Sequence, residues 1–120
     1  MPFDWTRGPL AHGLECYCSG QFFEAHEHWE AVWLECTEPE KTFLQSLIQV
    51  SAAFHHLARG NRAGARSLLT RALRRLERYP SDFGGIAVDG LKDSIRGWLC
   101  ALQADAPGEL PPHPRIRQPG

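Results

Sequence analysis

Apolar residues return every three or four positions along most of the chain, and no stretch alternates with period two for long. That pattern predicts helices, not strands. A short first helix is expected from Pro9 to Ser19-Gly20, with Gly20 as its stop. A second is expected from Gln21 to Cys36. The stretch "TEPE" then reads as a helix entry, with Thr37 as N-cap, Glu40 as its capping-box partner and Pro39 in the first turn. The third helix carries "FLQSLIQVSAAFHHLA" and stops at Gly60; Asn61 caps a fourth that continues to Tyr79, before Pro80. With only Gly-Asn between them, helices three and four should form an antiparallel hairpin. "PSDFGGIAVDG" reads as a loop with one extended piece at Ile86 to Val88. Asp89 is expected to cap a fifth helix bearing the stripe Leu91, Ile95, Trp98, Leu99 and Leu102. The fold class expected is all-α, a compact single-domain bundle of about five helices over residues 1–106. Residues 107–120, rich in proline, are expected to be a disordered or loosely docked tail.

The second helix, "FFEAHEHWEAVW", is the richest in chemistry. At about 100° per residue, Phe22, Ala25, Trp29, Val32, Trp33 and Cys36 fall within one apolar arc roughly 100° wide. Glu24, Glu27, His28 and Glu35 fall on the opposite side, as the outer face of any helix at a protein surface would. His26 and Glu30 lie between Trp33 and Phe23 instead, one turn apart, within reach of each other. A carboxylate on an apolar stripe must be paired, because burying it alone costs several kcal/mol. The pair therefore reads either as a structural hydrogen bond or as a site handling a proton or a divalent metal ion.

Two donors do not complete a metal site, so a third is sought elsewhere. In the third helix Phe43, Leu47, Val50, Ser51, Phe54, Leu57 and Ala58 form the expected core arc. His55 lies on its edge beside Leu44 and Ile48 and is the candidate third ligand. His56 falls with Gln45 and Gln49 on a polar stripe, and His12 on the first helix is a weaker candidate. Trp29 and Trp33 are expected to scaffold the motif. Several chemistries are excluded: no Glu has a His three residues later, as a di-iron carboxylate bundle requires. "HEHWE" lacks the second His of H-E-x-x-H, and no G-x-S-x-G, P-loop or dinucleotide fingerprint occurs.

"GQFFEAHEHWEAVW", followed by "FLQSLIQVSAAFHHLARGNRAGARSLLTRALRRL", resembles the bacterial and archaeal domain-of-unknown-function family 309 over roughly residues 10 to 102. The family's recurrent motif H-x-x-x-E-x-x-W is met here by His26, Glu30 and Trp33. What the resemblance implies is a small all-helical protein with a metal-binding role for that motif and no assigned reaction.

Composition adds boundaries. At 120 residues the chain suits one domain with one core, and its formal charge of −1 gives no global attraction to nucleic acid or anionic membrane. Without a membrane-length apolar run or a secretory leader at "MPFDWTRGPL", a cytoplasmic location is expected. Cysteines 16, 18, 36 and 100 contain no C-x-x-C and are expected to be reduced and mostly buried. Seven arginines lie between Arg59 and Arg78. Arg71, Arg74, Arg75 and Arg78 share the face opposite the apolar stripe, a solvated side more readily than an RNA contact. The function classes left are a metal- or small-ligand-binding protein centred on His26 and Glu30, a non-catalytic interaction module, which a homo-oligomer would suit, and, weakest, an RNA-associated protein.

Overall fold

The computed structural model describes residues 3–103 and 110–116. Five helices dominate: α1 (Gly8–Cys18), α2 (Phe22–Trp33), α3 (Glu40–Ala58), α4 (Arg62–Leu76) and α5 (Val88–Gln103). Between α4 and α5 lies a two-stranded hairpin, β1 (Asp82–Phe83) antiparallel to β2 (Ile86–Ala87), with Phe83 opposite Ile86. The all-α class and the helix count agree with the hydrophobic periodicity. The hairpin is the addition: Gly84 and Gly85 both adopt positive φ, the backbone a two-residue hairpin turn demands.

Each helix packs mainly on its neighbours in sequence, α1 on α2, α2 on α3, α3 on α4 and α4 on α5. At the centre, α3 is buried almost all round: Leu44 and Ile48 join Phe43, Leu47, Val50 and Phe54 inside. Its buried hydroxyls are satisfied locally, Ser46 donating to Phe43 O and Ser51 to Ile48 O. Gln49, expected on a polar stripe, is buried and accepts from Arg75 Nε at 3.2 Å, which draws one arginine of α4 into the α3–α4 seam. Arg71, Arg74 and Arg78 remain exposed. Ala58, expected in the core arc, is exposed because α3 ends there.

The helix signals hold unevenly. Gly20 and Gly60 stop α1 and α3 with φ near +80°. Asn61 caps α4, its Oδ1 accepting from Gly64 N at 2.9 Å. The capping box at Thr37 does not form. Glu38 does the work instead, accepting from the backbone N–H of Thr42 at 2.8 Å and from its hydroxyl at 2.6 Å, and α3 starts at Glu40. α5 begins at Val88, with Asp89 inside the first turn, because Ser81 O takes the N–H groups of both residues. The cysteines are all free, as expected, but Cys18 and Cys100 are exposed, being on the outer faces of α1 and α5.

The described part of the tail, residues 110–116, lies against the bundle. Trp98 Nε1 donates to Pro112 O at 2.9 Å, and Tyr17 Oη to Pro114 O at 2.6 Å. Ile116 is buried, and the His113 ring lies 4.6 Å from Phe54, 5.0 Å from Phe22 and 5.6 Å from Trp98. The expected domain boundary at 106/107 lies outside the described residues. Burial among these rings holds the His113 imidazole below its ordinary pKa of 6.5. The sign follows: a folded pKa below the unfolded one means protons favour the undocked state. The docked tail is therefore fully favoured above pH 6.5 and weakens progressively as pH falls below it. The nearby titratable groups are Tyr17 and Cys18 of α1 and Arg115 of the tail itself; α2, α3 and α5 meet the ring with Phe22, Phe54 and Trp98. Trp98 fluorescence should report an acid transition below pH 6.5 that His113→Phe abolishes. A His113→Phe variant with the same transition would refute this.

Candidate functional site

α2 meets the rest of the molecule through three buried residues, Phe22, Ala25 and Trp29. Trp29 is fully buried, and its Nε1 donates to Leu10 O of α1 at 3.2 Å. The edge of the apolar arc, where His26 and Glu30 stand, turns toward solvent beside α3. There His26 Nε2 and Glu30 Oε2 lie 3.2 Å apart, so the pair expected from the i,i+4 spacing is made. Its setting differs from the expectation. The Glu30 side chain is 52% exposed and that of His26 30% exposed. Glu30 therefore escapes the desolvation cost that made it look anomalous on a wheel, because three residues suffice to anchor the helix and the arc's margin is left at the surface.

Two atoms of the motif are nevertheless orphaned. His26 Nδ1 and Trp33 Nε1 are both buried, and neither has a hydrogen-bond partner among the described residues. Leaving a buried polar group unpaired costs about 1–3 kcal/mol, and folded proteins seldom do it. Trp33, only partly buried, has the Lys41 ammonium of α3 over its ring at 4.2 Å, a cation–π contact that fixes the indole in place.

His55 lies on the same seam but does not join the pair. The Phe23 ring stands between them, 6.2 Å from the His26 ring and 5.2 Å from that of His55. Among the described residues, no three His, Cys, Asp or Glu side chains are grouped closely enough to hold a metal ion. His56 is taken up by the α3–α4 turn, with its Nδ1 3.3 Å from Asn61 Nδ2. His12 meets His28, ring centroids 5.7 Å apart, on the α1–α2 side of the helix. A wheel drawn for α2 alone assigns His28 to solvent; the i,i+4 row of α1 that carries His12 was the missing signal.

A cleft of about 490 Å³ lies elsewhere, between the N-terminal segment and the end of α2, lined by Phe3, Leu10, Val32, Cys36 and Glu40 among others. It includes none of His26, Glu30 or His55. Burial, reinforced by the Glu40 carboxylate, pushes the Cys36 thiol up, so it stays protonated and a poor nucleophile at neutral pH. Asp4, at the same cleft, is held down to about 2 by hydrogen bonds from the Thr6 hydroxyl and N–H and from Arg7. These are the features of a tied-down terminus.

Residues 10–68, from α1 into the first half of α4, match the model of the family described as Domain of unknown function (DUF309). Over that stretch, which includes His26, Glu30 and Trp33, the chain belongs to this family. An "Uncharacterized protein" of Aquifex aeolicus (strain VF5) is 29% identical over 93 residues, covering 77% of this chain. The chain spans 28% of that relative's length. No helix among the described residues is long and apolar enough to cross a membrane.

Proposed function

We propose that the H-x-x-x-E-x-x-W motif is a binding element on the α2–α3 seam, taking a small polar ligand or a partly hydrated divalent cation. The observation that carries this reading is the pair of buried, unpartnered nitrogens, His26 Nδ1 and Trp33 Nε1. A ligand that accepts from the indole N–H would satisfy one of them. The other depends on the imidazole tautomer: with the proton on Nε2, shared with Glu30, His26 Nδ1 is an acceptor.

For a cation, the residues fit as two donors of a larger set. The 3.2 Å between His26 Nε2 and Glu30 Oε2 matches the edge of a polyhedron with metal–ligand bonds of about 2.1 Å. The remaining positions would belong to water or to a bound anion, which makes such a site open and weak, and His55 would reach it only if Phe23 moved aside. Bound there, a divalent ion would supply Lewis acidity; His26 and Glu30 would orient it.

The test is titration of the protein with zinc or manganese, and separately with inorganic phosphate, while the His26 imidazole and Trp33 indole resonances are followed. Saturable shifts confined to these residues, absent in His26→Ala and Glu30→Gln, are expected. Unmoved resonances at millimolar additions of all three would sink the reading. Because the pair is half-exposed, both substitutions should cost only about 0.5 kcal/mol of stability. A loss above about 2 kcal/mol would instead make the pair a structural clamp. That outcome would favour the second reading, an interaction module, for which the 46% exposure of Phe23 at the start of α2 and the 66% exposure of Leu34 just past its end speak.

A further inference from the structure

The α1–α2 hairpin carries a second histidine pair, separate from the H-x-x-x-E-x-x-W motif. The two helices run antiparallel through the turn at Gly20, and three contacts fix their register. Trp29 Nε1 donates to Leu10 O, Gly13 lies against the Trp29 indole, and Tyr17 meets Phe22 edge-on. This register sets position 12 of α1 opposite position 28 of α2. The His12 and His28 rings meet there, with centroids 5.7 Å apart and planes at 61°. Gly13 and Trp29 seal the inner side of the seam, while His12 is exposed and His28 half-buried. The two rings thus stand on the outer edge, where an ion can reach them from water.

Two imidazoles on two rigid helices form a preset chelate. With metal–nitrogen bonds of about 2.1 Å in a tetrahedral arrangement, coordinating imidazoles hold their centroids roughly 5–5.5 Å apart. The observed spacing reaches that range by small turns of the rings, with the backbone in place. Among the described residues neither ring is engaged by a carboxylate, the one such histidine contact being that of His26 with Glu30. The surrounding charge has one sign: residues 8–40 contain seven glutamates and no lysine, arginine or aspartate. A surface of that kind concentrates cations near it. Nitrogen donors then select among them, favouring zinc, nickel and copper over magnesium and calcium, which prefer oxygen. One rung closer to the turn, the same register sets Cys16 opposite Glu24, a thiol and a carboxylate beside the pair.

We infer that His12 and His28 are the protein ligands of a second metal site, a clasp across α1 and α2 that binds one zinc, nickel or copper(II) ion, with water in the remaining positions. The bound ion ties α1 to the helix that carries His26, Glu30 and Trp33, on the side of α2 away from that motif. This site stands independently of the function proposed above, because it shares no ligand with it.

The experiment titrates the metal-free full chain with zinc near neutral pH while the imidazole resonances of all histidines are followed. His12 and His28 should shift together in one saturable step, and the thermal midpoint should rise as that step fills. His12→Gln and His28→Gln should each weaken the step at least tenfold, since each removes one of two protein ligands. His26→Ala, which removes the motif's imidazole, should leave the His12 and His28 response intact. Because His12 is exposed, His12→Gln tests the site even if His28→Gln disturbs packing. Resonances of His12 and His28 that stay still at millimolar zinc overturn the inference, whatever His26 does. So does a step that survives in His12→Gln. Displacement of zinc by a tenfold excess of magnesium would place the ion on carboxylates alone and also overturn it.

Discussion

Trp29→Ala is expected to destabilise the protein by about 3–5 kcal/mol, the range for deleting a fully buried large aromatic. The indole is 0% exposed and touches three parts of the structure at once. Trp5 meets it edge-on with centroids 6.2 Å apart, Tyr17 lies 6.0 Å away, and its Nε1 donates to Leu10 O. Removing it leaves a cavity between α1 and α2 that no nearby side chain can fill without leaving its rotamer. For a chain of this size, the midpoint of thermal unfolding should fall by roughly 10–20 °C. A shift below about 3 °C would show that α1 is not fastened through this residue.

Gly13→Ala is the second large effect, and it acts on the same contact from the other side. A Cβ at Gly13 would stand 2.5 Å from Cδ1 and 3.0 Å from Cε2 of Trp29, inside any tolerable contact. In an isolated helix the change would favour folding by roughly 1 kcal/mol, because alanine is the better helix former. Overpacking a rigid indole opposes this with about 1–3 kcal/mol. The fully buried indole has nowhere to retreat, so the clash wins, with a net loss of about 1–2 kcal/mol. The decisive measurement is the double-mutant cycle. In the Trp29→Ala background the clash is gone, and Gly13→Ala should be neutral or stabilising by up to about 1 kcal/mol, a coupling of about 2 kcal/mol. Additive losses in denaturant unfolding would mean that helix α1 can shift away from α2 at little cost.

The five helices and their stops could be read from the sequence because their signals are local. Gly20, Gly60 and Asn61 act within one turn of their own position, and a 3.6-residue stripe needs no knowledge of its partner. The His26–Glu30 contact was legible for the same reason, being set by i,i+4 spacing. What was not legible depends on how deeply a neighbour covers a helix. One face of α2 could be drawn, but whether Glu30 lay inside or at the margin depended on where α3 ended its contact. The position of His55 relative to His26 depended on the ring of Phe23, an α2 residue that pattern reading counts as core margin and that is 46% exposed. The capping box failed by a single step of register, from Thr37 to Glu38, since both residue types can serve an N-terminus. The proline-rich tail was open to disorder or loose docking, because composition averages over a segment, whereas docking is decided by the buried Pro114 and Ile116 and by the carbonyls of Pro112 and Pro114.

The succession of α1 through α5, each against its predecessor, bears on how the chain reaches this state. Contacts between sequence neighbours need only short loops to close, which places the bundle among fast-folding topologies, in the microsecond-to-millisecond range. Sequence-distant closures are made by specific hydrogen bonds, among them Trp5 Nε1 to Gly84 O, Tyr17 Oη to Pro114 O, Arg62 to Leu102 O and Tyr79 Oη to Pro39 O. Amide exchange should therefore separate two classes of opening. The interior of α3 should exchange only through global unfolding, while the N-terminal segment and residues 110–116 open and reclose many times over an intact bundle.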